Sequence, residues 1–185
     1  MNKTYTIALK RDGAKNAPPL SFTLAMQEKL TIRKACSADA THISELICKV
    51  AHCFNSSASG EVAPWFLASV TPSAIEGHIA DTKFNYLVGF LGQALAGVIV
   101  LRDTTHVHNL FVAPEFHRQG VASKLWGRAK ADTIALGNKE SFSVRSSEYA
   151  VPVYEFFGFH VVGPRAEKEG VIFVPMKLEL QQRHG

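Results

Sequence analysis

The chain has 185 residues, of which 46% are hydrophobic and 19% are charged. This composition is apolar enough to bury a core and too apolar for a disordered chain. Lysine and arginine number 20 against 16 acidic residues, a formal charge of only +4. The basic residues are scattered, which argues against a nucleic-acid partner. No apolar run approaches the roughly 18 residues of a membrane span, and the first residues lack the apolar stretch of a signal peptide.

Three cysteines, Cys36, Cys48 and Cys53, form no CxxC pair. An odd number of cysteines without a secretion signal predicts reduced, mostly buried thiols in a cytoplasmic protein. Residues 1–29 alternate only weakly between apolar and polar positions, with turn signals at Pro18-Pro19. We predict that they form an extension outside the main domain of residues 30–185: a hairpin arm, a partner-dependent strand pair or a loose tail.

From residue 30 onward the pattern of apolar and polar residues is clear enough to predict individual elements. Residues 30–35 predict a short strand, Ser37 predicts a helix N-cap, and Asp39 lies in the first turn, where negative charge is favourable. The helix that follows has one apolar face, formed by Ile43, Leu46, Ile47, Val50, Ala51 and Phe54. Residues 55–70 predict a loop. Thr71-Pro72 then predicts the start of a short helix, because proline suits the first helical position.

The middle of the chain predicts three consecutive strands at residues 85–91, 94–102 and 105–112. Gly92-Gln93, between the first two, is a two-residue hairpin signal. A loop between Pro114 and Gly120 leads into a helix that runs to about residue 136. The remainder predicts a strand, a short helix and two final strands, at residues 140–145, 150–157, 159–162 and 171–178. Hairpins and crossover helices alternate, so we predict an α/β fold with a mixed sheet.

The most informative segment is residues 106–123, HVHNLFVAPEFHRQGVAS, in which a strand leads through a tight loop into a helix. Free backbone N–H groups at a helix N-terminus make an anion site. Gly120 lets the backbone approach a phosphate closely, and Arg118 adds positive charge. The alternative is that Gly120 serves only the turn and that Ala122 packs on the sheet.

This segment resembles motif A of the GNAT superfamily of acetyl-CoA-dependent N-acyltransferases, Arg/Gln-x-x-Gly-x-Gly/Ala. Gly120 and Ala122 match the motif, while His117 replaces the usual Arg or Gln. Residues 153–159, VYEFFGF, resemble motif B, Leu-Tyr-x-x-x-Gly-Phe, and the element order over residues 30–180 is that of the family. The resemblance implies a GNAT fold, in which strands 4 and 5 of a mixed sheet splay apart around the pantetheine arm.

The resemblance further implies acetyl-CoA as cosubstrate. It assigns the pantetheine arm and the thioester carbonyl to Leu110, Phe111 and Val112, whose side chains can pack in the core at the same time. It assigns the pyrophosphate to Arg118, Gln119, Gly120, Val121, Ala122 and Ser123. Ser147 stands where family members often have an asparagine that contacts the cofactor arm. Its alternative role is to cap the following helix.

Acetyl transfer needs a deprotonated amine, a polarised carbonyl and a proton for the leaving thiolate. Tyr154 occupies the position of the family's catalytic tyrosine, and a phenol with a pKa of about 10 can donate to the departing sulfur. The alternative is a half-buried helix tyrosine with a satisfied hydroxyl. The resemblance implies that Phe54 and Trp65 lie in the region that forms the wall of the acceptor site. Core packing is an alternative for Phe54.

His106 and His108 are the candidate bases, because a spacing of two on a strand places both on one face, together with Leu110 and Val112. The run resembles that of arylalkylamine N-acetyltransferases, in which paired histidines relay the amine proton through water. Two alternatives stay open. The pair can be ordinary polar strand residues or half of a zinc site, but no third ligand has convincing spacing, so we predict no metal.

We therefore expect an enzyme that transfers an acetyl group directly from acetyl-CoA to a primary amine of a small molecule or a peptide. We expect no membrane or nucleic-acid partner, and the oligomeric state is open between a monomer and a homodimer. One rival is a catalytically weak acyl-CoA sensor, or a module that docks a partner through residues 1–29. Another is a toxin-like member that acetylates aminoacyl-tRNA, whose first requirement is salt-dependent tRNA binding.

Overall fold

The computed structural model of the chain describes residues 29–51, 64–138, 140–168 and 170–180. Residues 1–28 of the predicted extension, Cys53 and Phe54 lie outside the described residues. The strands are β1 (Thr31–Lys34), β2 (Phe84–Leu91), β3 (Ala94–Arg102), β4 (His106–Val112), β5 (Ser141–Ser146), β6 (His160–Val161), β7 (Ala166–Lys168) and β8 (Val171–Glu179). The helices are α1 (Ala40–Val50), α2 (Pro64–Ser69), α3 (Pro72–Ala80), α4 (Val121–Ala135) and α5 (Val151–Phe156).

The strands form one mixed sheet in the order β1-β2-β3-β4-β5-β8-β6, with β7 also paired to β8. β4 and β5 are parallel, whereas the other described pairs are antiparallel. In the described sheet, β4 and β5 pair only at His106–Ser143 and Val107–Val144 and then separate. The mixed sheet and the splay between strands 4 and 5 are therefore confirmed. None of the described helices is long and apolar enough to cross a membrane.

The sheet carries a core on each face. One core packs α4 and α5 against side chains such as Leu87, Ile99, Leu101, Leu125 and Phe142. The other packs α1 and α3 against the opposite face, with Ile43, Ile47, Val88, Val98 and Val100. The splay between β4 and β5 thus opens in a sheet that is held rigidly from both sides.

Gly97 is required by close packing at the centre of the sheet. A Cβ at this position would lie 2.8 Å from the Phe111 carbonyl oxygen, 3.0 Å from Leu125 and 3.2 Å from Val121. We expect Gly97→Ala to lower the free energy of unfolding by about 1–3 kcal/mol, because the strand or helix α4 must shift. Gly127→Ala, in an open part of α4, is the control and should raise it by up to about 1 kcal/mol. Urea unfolding measures both, and equal effects would contradict the packing.

The segment of residues 55–70 was predicted as a loop, and this is wrong for its last third. Pro64 begins helix α2, which carries Trp65 and Phe66 and ends at Ser69, whose hydroxyl donates to the Phe66 carbonyl at 2.7 Å. Proline signals a break in a chain, but it is equally suited to the first turn of a helix, where its missing N–H costs nothing. The predicted start of α3 is confirmed, since Thr71 Oγ1 accepts the Ala74 N–H.

The start of α1 differs from the prediction that Ser37 is its N-cap. Residues 37–39 form a single 3₁₀ turn capped by Cys36, and α1 begins at Ala40. The Asp39 carboxylate accepts bonds of 2.7 and 2.8 Å from the Arg33 guanidinium and one of 2.8 Å from the Cys36 N–H. The hydrogen bonds from Arg33 lower the pKa of Asp39 to about 2. This network joins β1 to α1.

The prediction of buried thiols is wrong for both cysteines that the structure describes. Cys36 and Cys48 are free and exposed. Cys36 lies in the turn before α1, and Cys48 lies on the outer side of α1, away from the buried positions Ile47 and Val50.

Strand β7 was not predicted at all, because three residues are too few to show an alternating pattern.

Candidate active site

A cleft of about 470 Å³ opens where β4 and β5 separate. Residues of α1, α2 and α3, of the segment between β5 and α5, and of the β7–β8 hairpin line it. Seven of the residues predicted for the site line it: Trp65, His106, His108, Leu110, Phe111, Ser147 and Tyr154. The structure therefore brings the proposed acid, the proposed bases and the proposed thioester strand to one place.

Strand β4 contains an irregularity that the sequence did not reveal. In its pairing with β3, Val100 lies opposite Asn109 and Leu101 lies opposite Val107. His108 is therefore an extra residue, a β-bulge that shifts the alternation of the strand by one position. Bulges redirect side chains and are common beside active sites.

The bulge corrects one part of the prediction for β4. Leu110 and Val112 pack against the α4 core, whereas His108 meets the edge of the Phe84 ring at 5.4 Å on the α1–α3 face. His106 and His108 therefore share the cleft with each other but do not share a face with Leu110 and Val112. The two histidines therefore lie on the α1–α3 face of the sheet, whereas the side chains of Leu110 and Val112 lie on the α4 face.

Both histidines are shifted toward the neutral form. His106 Nδ1 lies 2.9 Å from Ser143 Oγ, and burial, together with the charges of Arg102 and Arg145, lowers its pKa to about 4. Burial and the neighbouring His106 lower the pKa of His108 to about 4. His108 is the more exposed of the two. Water in the cleft therefore screens the charges near His108 more strongly than those near His106. At neutral pH both rings are free to accept a proton.

Tyr154 is buried at 6% exposure in α5 and still reaches the cleft. Its ring packs edge-on against Phe157 and Phe159, with centroid distances of 6.2 and 5.5 Å. Burial raises the pKa of its hydroxyl above the ordinary value of 10. Among the described residues the hydroxyl has no hydrogen-bond partner, although buried polar groups are nearly always paired. Tyr154 therefore lines the cleft with a buried side chain whose hydroxyl no described residue pairs.

The loop before α4 has the backbone of an anion-binding nest. Arg118 has φ +62° and Gly120 has φ +76°, so two of the three residues before the helix are left-handed. Such alternation turns successive N–H groups toward one point, and the first N–H groups of α4 have no acceptor within the helix. A Cβ at Gly120 would meet nothing within 4 Å, so the space in front of the nest is open to a phosphate.

The main chain of β4 presents hydrogen-bonding groups to the splay. The Ala113 N–H donates to the Ala96 carbonyl on β3 at 2.9 Å. Since backbone groups alternate along a strand, those of Leu110 and Val112 point the other way, into the gap toward β5. His117 Nε2 donates to the Val112 carbonyl at 2.9 Å, so the residue that departs from motif A anchors the loop to the end of this strand.

The other residues that the resemblance assigns to the cofactor lie in the loop before α4, in the first turn of α4 and before α5. Val121 is buried in the core at 3% exposure, so it can offer a ligand only its backbone. Gln119 Nε2 donates to the Glu115 carbonyl at 3.0 Å and braces the loop, while Ala122 and Ser123 lie in the first turn of α4. Ser147 Oγ accepts the N–H of the residue three positions later, at 3.3 Å, which is the capping role weighed as its alternative.

Sequence reasoning missed the aromatic wall of the cleft. Phe84 stacks on His78 at 4.7 Å, and the Tyr86 hydroxyl lies 3.4 Å from His78 Nδ1. It also missed Arg102 and Arg145, which line the cleft from β3 and β5. Alternation in each strand showed which residues share a face, but only the sheet order places these strands beside the histidines. No third His, Cys, Asp or Glu within the described ranges joins that pair in a metal-sized cluster.

Comparison with known proteins agrees with this geometry. The model of the family described as "Acetyltransferase (GNAT) domain" matches residues 54–180. A GCN5-related N-acetyltransferase from Rhodopseudomonas palustris is similar with a TM-score of 0.70 and 15% identity, over 81% of this chain and 95% of that one. The PaiA N-acetyltransferase of Thermoplasma acidophilum, solved with coenzyme A, gives 0.66 and 15%, over 82% and 99%.

A third similar structure is the ribosomal-protein-S18-alanine N-acetyltransferase of Escherichia coli, with a TM-score of 0.59 and 17% identity over 83% of this chain and 96% of that one. No curated protein sequence matches the chain significantly. The family match spans more than half of the chain, and the solved structures share its fold. The chain therefore belongs to the GNAT acetyltransferase family and is an acetyl-CoA-dependent N-acetyltransferase.

Proposed function

We propose that this protein transfers the acetyl group of acetyl-CoA directly to a primary amine in a ternary complex, with Tyr154 as the acid and His106 and His108 as a proton relay. The amine nitrogen forms a bond to the carbonyl carbon, and the carbon–sulfur bond breaks. The departing sulfur takes the Tyr154 proton, the amine proton leaves through the histidines to water, and a proton from water then returns Tyr154 to its neutral phenol. The observation that carries the proposal is that Tyr154 is buried, lines the cleft and has a hydroxyl with no partner among the described residues.

The residues present suit coenzyme A. The nest at Arg118 and Gly120, with the N-terminus of α4, would hold the diphosphate, and the inward-facing backbone of Leu110 and Val112 would pair with the amides of the pantetheine arm. Bound there, the group supplies an activated acyl carbon. From the nest, the splay leads back along β4 toward the cleft, where His108 and Tyr154 lie.

Tyr154 would act where negative charge collects on the sulfur. Burial raises the pKa of its phenol, so the phenol stays protonated at any working pH. The same burial raises the basicity of a thiolate formed beside it, because both anions lose solvation. The hydroxyl would therefore stabilise the thiolate first by hydrogen bonding and then by transferring its proton.

The pKa values of the histidines favour a proton relay over a general base that keeps the proton. A neutral imidazole accepts a proton, but a pKa of about 4 makes the imidazolium costly at neutral pH. The pair would therefore pass the amine proton on through water. Arg102 and Arg145, which disfavour positive charge at His106, also favour the deprotonated, nucleophilic form of the amine.

We expect the double change His106→Ala and His108→Ala to lower kcat about 100-fold and to leave the Kd for coenzyme A unchanged, because the pair lies away from the phosphate nest. Function requires the neutral rings, so kcat of the native protein should persist as the pH falls through 6.5 and be lost near pH 4. Thiol release measures kcat of the double variant and, over a pH series, of the native protein. Calorimetry measures the Kd for coenzyme A.

His160→Ala, an exposed strand histidine outside the cleft lining, is the matched control and should keep the native kcat. Native turnover in the double variant would remove the histidines from the mechanism. Saturable coenzyme A binding without turnover of any amine by the native protein would indicate a sensor instead.

A further inference from the structure

The charged residues that line the described part of the cleft are all basic. Its described lining includes three cationic side chains, Arg102, Arg145 and Lys168, and no aspartate or glutamate. An acceptor with several ammonium groups would gain nothing from these walls and would be repelled by them. An acceptor that carries a negative group beside its amine fits the same walls.

Both arginines lie at the His106 end of the sheet. Arg102 on β3 is directly opposite His106. Ser143 on β5 is opposite His106 on the other side and lies within hydrogen-bond distance of it. Arg145 comes two residues later on β5, so it shares the face of Ser143. The two guanidinium groups therefore flank the histidine from the neighbouring strands.

These arginines are too far along the sheet to serve the diphosphate of the cosubstrate. The nest at Arg118 and Gly120 follows the end of β4 at Val112. From His106, opposite Arg102, to Val112 the strand rises about 20 Å, and Arg145, two residues beyond Ser143 on the parallel strand β5, is still about 13 Å from that end. The positive charge of Arg102 and Arg145 is therefore available to a different anion.

The two guanidinium groups have hydrogen-bonding capacity left for such an anion. Arg145 lies over the Phe173 ring at 5.1 Å and forms no ion pair with any described residue. Stacking holds a guanidinium flat and leaves its edge, which matches a carboxylate, available. Arg102 Nε lies 3.4 Å from an Asp103 carboxylate oxygen, but both side chains are exposed, and such pairs are weak.

The rest of the wall is apolar and aromatic. Phe84 lies between His78 and His108, in contact with both rings, and Trp65, Phe66 and Ile75 line the same cleft. Flat aromatic surfaces of this kind favour an aromatic or large apolar group. The cleft thus combines an anion-binding edge with an apolar pocket around the relay histidines.

We propose that the acceptor is an amine that carries a carboxylate a few bonds from its nitrogen and an aromatic or apolar side chain, with the carboxylate bound by Arg102 and Arg145. An aromatic α-amino acid has this arrangement. The inference rests on the proposed acetyl transfer to an amine and specifies the substrate class of that site.

A matched panel tests the substrate class. L-Phenylalanine, L-phenylalanine amide and phenethylamine share the ring and the amine and differ in the carboxylate. With acetyl-CoA saturating and thiol release as the readout, we expect kcat/KM for phenylalanine to exceed that of the other two at least about tenfold. Equal or better use of phenethylamine would overturn the carboxylate site while leaving amine acetylation in place.

Arg145→Gln tests the residue. We expect it to reduce the preference for phenylalanine over phenethylamine to within about twofold, while Arg145→Lys retains part of it. Arg128→Gln, on the outer side of α4 and paired there with Asp132 at 2.9 Å, is the matched control and should keep the full preference. An unchanged preference in Arg145→Gln and in Arg102→Gln would overturn the assignment.

Binding of the reaction products separates this inference from the proposed function. Calorimetry with coenzyme A present compares N-acetyl-L-phenylalanine with N-acetylphenethylamine and needs no turnover. Tighter binding of the carboxylate, lost in Arg145→Gln, supports the site even if no amine is acetylated, in which case only the proposed function fails. Equal binding of the two products overturns the site whatever the turnover.

Discussion

Gly120→Glu is expected to weaken coenzyme A binding by more than about 100-fold, or about 2.7 kcal/mol. Two effects act in the same direction. Gly120 has φ +76°, a conformation that costs a residue with a side chain roughly 1 kcal/mol or more. The new carboxylate would also lie in the open space where the diphosphate is proposed to bind, in front of N–H groups that it would compete for. Calorimetric titration with coenzyme A measures the loss.

The chain provides a control for each effect. Gly137 ends the same helix, has φ +106° and likewise has no neighbour within 4 Å of a Cβ, so Gly137→Glu imposes similar backbone strain away from the nest. It should bind coenzyme A normally. Gly120→Ala keeps the strain without the charge and should weaken binding only a few-fold, since Arg118 already adopts φ +62° in this loop. Tight binding by Gly120→Glu would refute the assignment of the loop.

Features encoded by adjacent residues could be predicted from the sequence. Thr71 and Pro72 start α3 as expected, because the cap and the fixed φ of proline act within one turn. Gly92 turns the β2–β3 hairpin with φ +57°, and Gly158 closes the segment after α5 with φ +93°. Such signals predicted nearly every element that the structure describes, and with them the order that identifies the family.

Features set by distant pairings could not be predicted. His108 is an extra residue only in relation to β3, where Val100 and Leu101 fix the register, so nothing in the local HVHNLFV pattern shows the change of face. The positive edge of the cleft arises in the same way, because Arg102 and Arg145 are 43 positions apart in the chain and meet only through the pairing of both strands with β4. Seven of the residues predicted for the site thus line one cleft, but the shape and charge of that cleft could not be predicted.

Tyr154→Phe is expected to lower kcat about 10- to 100-fold and to leave coenzyme A binding intact, because the proposed acid would be lost while the ring packing stays. Stability separates this role from a structural one. A buried hydroxyl that is bonded within the protein would cost about 1 kcal/mol to remove. The Tyr154 hydroxyl has no described partner, so its removal relieves a desolvated group, and the free energy of unfolding should stay the same or rise by up to about 1 kcal/mol.

The two measurements together are decisive, because the two roles predict opposite pairs of results. Tyr149→Phe changes a tyrosine that is 70% exposed and should alter neither kcat nor stability. Native kcat with lowered stability in Tyr154→Phe would make Tyr154 a packing residue and leave the thiolate without an acid. Lowered kcat with unchanged or raised stability is the pair expected when a buried phenol is kept for a substrate, since a bound thioester then supplies the partner that the described residues lack.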